Sequence, residues 1–79
     1  MIMTMDERLI RFRLLDLGCF GEVIALERRL VRTLGVLGAT VNAATETAYI
    51  SYDGYRTSPE RLRAAIVAEG FRTADPVAS

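Results

Sequence analysis

The sequence predicts an α+β domain in which a four-stranded antiparallel sheet is covered on one face by two helices, in the chain order βαββαβ. Three observations carry that reading. Near the amino end, apolar residues alternate with arginines, as on a half-buried strand. The apolar period then changes twice to that of a helix, after Gly21 and after Ser58. Between the helices lie two apolar runs close enough in sequence to form a hairpin.

Residues 1–8 read as a flexible leader. Its Met1, Met3 and Met5 raise the idea of thioether ligands for Cu(I), but a start residue and a loose tail explain them more simply. From Leu9, residues Ile10, Phe12 and Leu14 point one way and Arg11 and Arg13 the other. Residues 16–21 form a loop containing Gly18 and Gly21. The first helix starts at about Glu22, with Val23, Leu26, Leu30 and Leu34 as its apolar stripe. Glu27, Arg28, Arg29 and Arg32 face water, and Gly35 is placed as the carboxyl-terminal cap.

A second strand is expected over 36–43 and a turn at Thr45 and Glu46. A third strand spans 47–52, with Ala48, Ile50 and Tyr52 on one face. After a loop at 53–57, Ser58 caps a second helix and Pro59 takes its first position. Leu62, Ala65 and Ile66 supply its buried face, and Gly70 ends it. Residues 71–73 make a short last strand, so the domain runs over 9–74 with a tail at 75–79. This order is that of the ferredoxin-like sandwich, a fold that hosts many unrelated activities.

Composition narrows the functional classes. Seventy-nine residues, 51% of them hydrophobic, suffice for one modest core. Ten basic and ten acidic side chains leave no net charge, so no broad basic face for a nucleic-acid backbone is expected. On the sheet, Tyr49 alone stands out as an aromatic for RNA, and no nucleic-acid partner is expected. No apolar run has membrane-spanning length, and no signal peptide is visible. One cysteine excludes an internal disulfide, and the reading is a cytoplasmic, reducing setting. Without histidine, a hydrolase triad and a histidine zinc site both fall away.

The stretch "LLDLGCFGEVIALERRL" places Cys19 between two glycines at a strand-to-helix junction, with Glu22 three residues on. A thiol and a carboxylate at that spacing can be half of a metal site. They can equally be a packed cysteine and a first-turn acid. Asp16 is a turn residue or helix-start acid, with metal contact the weaker possibility.

From about Ile10 to Thr73 the sequence resembles the heavy-metal-associated domain, found in small metallochaperones and at the amino ends of heavy-metal P-type ATPases. That family's loop reads Gly-Met-x-Cys-x-x-Cys. Leu17 falls on its Met, Cys19 on the first Cys and Glu22 on the second, while Glu27 and Leu30 match the helix that follows. "LGVLGATVNAATETAYISYD" is similar to the family's Pro-Gly-Val stretch and hairpin, and "SPERLRAAIVAEGF" to its second helix and glycine-aromatic step. Asp16 replaces a family glycine.

The resemblance implies a binding domain, not an enzyme, with metal ligands at Cys19 and Glu22 and Asp16 as a weak third. Leu17, Gly18, Gly21 and Phe71 would support the site. Two thiolates suit Cu(I); one thiolate with one carboxylate is harder and suits Zn²⁺, with Cd²⁺, Co²⁺ or Ni²⁺ as alternatives. Two ligands leave the shell open, as transfer requires. The implied partners are a cognate transporting ATPase or chaperone domain, or a second copy bridged through Cu(I). The arginines of the first helix are a solvated face or, less simply, a docking surface for an acidic partner. Two other readings stand beside this one. The first is a metal-free domain acting through protein contacts. The second is an acyl-phosphate hydrolase of the same fold, which lacks its arginine cradle here and has only Asn42 as a side-chain amide.

Overall fold

A computed structural model describes residues 5–15, 20–74 and 77–78, with side chains described for 5–15 and 23–74. The element order is β1 (Glu7–Leu15), α1 (Phe20–Val31), β2 (Val36–Asn42), β3 (Thr47–Asp53), α2 (Pro59–Ala68), β4 (Arg72–Thr73) and β5 (Val77–Ala78). The strands run in the order β2-β3-β1-β4, all neighbours antiparallel, and β5 also pairs β1. This is the expected α+β sandwich.

Alternation along β1 sets the layers. Ile10, Phe12 and Leu14 are buried, while Leu9, Arg11, Arg13 and Leu15 are exposed. Across the register, Ile10 meets Ile50 and Phe12 meets Ala48, so β1 and β3 bury the same face. That face packs against Val23, Leu26 and Leu30 of α1 and Leu62, Ala65 and Ile66 of α2 in one continuous core. Each fully buried Leu or Ile contributes about 1.5–3 kcal/mol.

Four details depart from the sequence-based expectations. First, β1 starts at Glu7, two residues earlier than Leu9, because the chain ahead of it is tied down. The Asp6 amide donates to Asp53 Oδ1 at 3.0 Å, and the Gly54 amide donates to the Asp6 carbonyl at 2.7 Å. Asp53 is buried, and these partners hold its carboxyl below the usual carboxylate range: the Asp6 amide first, then the Tyr55 amide at 2.9 Å, then Arg56. Met1 and Met3 lie outside the described residues; Met5 is exposed.

Second, α1 spans Phe20–Val31, and Leu34 is 69% exposed instead of completing the stripe. The chain leaves the helix through a Thr33 amide bond to the Leu30 carbonyl and reverses at Gly35 with φ 89°. A Cβ at Gly35 would stand 2.9 Å from Thr57 Cγ2, so glycine is required there twice over.

Third, Glu27 does not simply face water. It is half-buried, and Oε2 accepts the Val41 amide at 2.7 Å. Fourth, the expected tail contributes β5, with Ala78 opposite Ile10 and Val77 opposite Arg11. Elsewhere the agreement is close: Ser58 Oγ accepts the Arg61 amide at 3.4 Å, Pro59 opens α2, and Gly70 follows it with φ 93°.

Candidate metal centre

The loop predicted to carry the chemistry joins two well-defined elements. β1 ends at Leu15 and α1 begins at Phe20. Asp16, Leu17, Gly18 and Cys19, which lie between them in sequence, are outside the described residues. Gly21 and Glu22 occupy the second and third positions of α1, and their side chains are likewise not described. A helix's first turn points its backbone N–H groups back along the chain, a setting that favours negative charge ahead of α1.

Two other parts of the fold reach the same end of the sheet. Arg72 pairs with Leu15, which places Phe71 beside the exit of β1. Phe71 is buried in the core, and its amide donates to the Ile66 carbonyl at 3.3 Å. The core role of Phe71 is thus shown, next to the end of β1. The β2–β3 turn also arrives here, because the Leu14 amide donates to the Glu46 carbonyl at 2.7 Å. Glu46 takes a left-handed conformation with φ 52°. Asn42 Oδ1 shapes the start of that turn by accepting the Ala44 and Thr45 amides. Glu46 is thus an acid beside the end of β1 that the sequence marked only as a turn residue. Among the described residues, no three Cys, Asp or Glu side chains converge as a ligand cluster.

No family model matches the chain, and no curated protein matches it significantly. Solved structures do match. One from work on crosstalk between Cu(I) and Zn(II) homeostasis is 30% identical and superposes with a TM-score of 0.76, covering 84% of this chain and 94% of that one. The chain belongs to the heavy-metal-associated domain family. As a member of it, the chain is also 28% identical to copper-form CopA from Bacillus subtilis, with a TM-score of 0.79 over 91% of this chain and 95% of that one. The Cu(I)-loaded amino-terminal domain of a potential copper-translocating P-type ATPase from Bacillus subtilis is 26% identical, with a TM-score of 0.80 over 86% of this chain and 85% of that one. Against the heavy-metal-associated loop pattern, the chain keeps the first cysteine as Cys19 and carries Glu22 in place of the second.

Among the described residues no helix is long and apolar enough to cross a membrane.

Proposed function

We propose that this heavy-metal-associated domain binds a transition-metal ion through Cys19 and Glu22 and hands it to a partner. In this reading it is the amino-terminal metal-binding domain of a metal-transporting P-type ATPase, or that pump's chaperone, on the cytosolic side. The observation that carries the reading is the likeness, over most of the chain, to copper-form CopA and to a Cu(I)-loaded ATPase domain. The chemistry of the donor set refines it. A thiolate with a carboxylate offers one soft and one hard ligand, which Zn²⁺, Cd²⁺, Co²⁺ or Ni²⁺ accepts more readily than Cu(I) does. Water, Asp16 or a partner's side chain completes the shell, and an ion so held is released by ligand exchange. In this reading Leu17, Gly18 and Phe71 support the loop, and Gly21 supports it from the first turn of α1.

A second reading has copper among the similar structures in its favour. Two copies of the domain each supply Cys19 and hold Cu(I) between two thiolates.

Titration of the reduced protein with Zn²⁺, Cd²⁺, Co²⁺, Ni²⁺ and anaerobic Cu(I), followed by amide NMR, tests both. Saturable shifts over 16–23 and at Phe71, lost in Cys19→Ser and in Glu22→Ala, are expected for the divalent site, and a chelator reverses them. Cu(I) shifts lost only in Cys19→Ser, with slower tumbling at half an equivalent, select the bridged pair. No saturable shift with any ion overturns metal binding and leaves a protein-contact module.

A further inference from the structure

The face of the sheet turned away from the helices carries a second set of groups. No described element covers it. In register across β2, β3 and β1, Gly38, Ser51 and Leu9 form one row. Thr40, Tyr49 and Arg11 form the next, and Asn42, Thr47 and Arg13 the third. A concavity of about 380 Å³ lies over the first two rows, with Gly38 in its floor and Leu9, Arg11 and Tyr49 among its walls.

Gly38 lies at the register irregularity of β2, but no steric conflict at its Cβ demands glycine. Its φ is not in the left-handed region, and a Cβ built there meets nothing within 4 Å. A bare strand position of this kind marks either a bulge or the close approach of another molecule. The irregularity between Val36 and Gly38 is a bulge, and the glycine there leaves a clear floor beside Tyr49 that another molecule can approach.

The walls are chemically specific. Tyr49 is 40% exposed, so part of one aromatic side chain is open to solvent beside an unobstructed floor. Arg11 lies directly across from it and Arg13 two residues further along β1, about 7 Å away. Among the described residues Arg11, Arg13 and Tyr49 make no side-chain hydrogen bond or ion pair. The acid on the same face, Glu7, accepts the Ser51 hydroxyl at 3.0 Å, at the far end of the strand pair. A flat ring beside a guanidinium pair is complementary to a base and its flanking phosphates. An acidic peptide would satisfy the arginines but leave the ring and the cleared floor unused.

We propose that this sheet face binds single-stranded nucleic acid, one base lying over Gly38 against Tyr49 and the adjoining phosphates meeting Arg11 and Arg13. The neutral chain supplies no long-range attraction, so binding rests on these local contacts and is modest in strength. None of its groups is a proposed metal ligand, and binding does not depend on metal.

The test uses metal-free protein and a labelled oligouridylate at low salt, read by fluorescence anisotropy and amide NMR. Saturable binding is expected, with shifts on β1, β2 and β3. Two phosphate contacts give a log–log salt slope of about −1.4, falling to about −0.7 in Arg13→Gln. Gly38→Val fills the floor without touching the fold and weakens binding about tenfold or more, as does Tyr49→Ala. Full binding by a folded Gly38→Val protein overturns the proposal, and so does the absence of saturable binding. Competition by UMP as strong as by the oligomer overturns it in favour of a mononucleotide. Equal binding of a poly-glutamate peptide overturns it in favour of an acidic protein partner.

Discussion

The Glu27 carboxylate accepts the Val41 amide at 2.7 Å, so a helix side chain closes a backbone group on the outer edge of the sheet. An edge strand presents unpaired N–H groups that invite other chains, and α1 covers one of them here. Because Val41 is buried, Glu27→Ala leaves a donor without its charged acceptor and is expected to cost about 1–3 kcal/mol. Glu27→Gln keeps an acceptor oxygen and most of the stability. Urea denaturation measures the cost, and hydrogen exchange at Val41 shows whether that amide is the one released.

Two glycines near each other in sequence are expected to behave oppositely. Gly35→Ala forces a side chain into a left-handed conformation and against Thr57, costing about 2 kcal/mol or more. Gly38→Val adds a strand-favouring side chain in open space and is neutral or stabilises by up to about 1 kcal/mol. Thermal unfolding of the pair separates them.

Leu30 and Leu34 both belong to the apolar stripe expected for the first helix, but only Leu30 is buried. Leu30→Ala is expected to destabilise by about 2–5 kcal/mol through lost burial and a cavity. Leu34→Ala stays within about 0.5 kcal/mol. Equal effects in chemical denaturation would place the helix end wrongly.

Asp53 links stability to acid. Its carboxyl ionises below the ordinary value of 3.8 in the folded protein because two backbone amides and Arg56 favour the charged form. The folded state therefore binds fewer protons there than the unfolded chain does, and stability rises with pH through that range. The contribution is complete above about pH 4 and is lost as pH falls through the folded value. Asp53→Asn is expected to flatten the acid limb of a stability profile from pH 2 to 6.

The order of elements was legible because each helix and long strand carries its period in its own residues. Ile10, Phe12 and Leu14 declare the buried face of β1 without help from any other segment. What periodicity could not see was set by distant partners. Glu27 looked solvated because nothing local shows that Val41 needs an acceptor. Leu34 looked buried because its spacing continues past the point where Gly35 turns the chain. Residues 75–79 looked like a tail because β5 gains its identity from β1. On the sheet face, Tyr49 was visible alone, while its neighbour Arg11 is set beside it only through the β1–β3 register. For the metal loop, residue chemistry alone left Cys19 and Glu22 undecided, and family spacing supplied the assignment.

The pairing of β5 with β1 has a consequence for attachment. β1 begins at Glu7, Ala78 sits opposite Ile10, and the Cys19 loop follows the far end of the same strand. Among the described residues, the chain enters β1 at one pole and β5 runs back toward that same pole, while β1 itself leaves at the opposite one. A tether attached on either side of these strands therefore pulls on the same pole and leaves the opposite end of β1 clear of it.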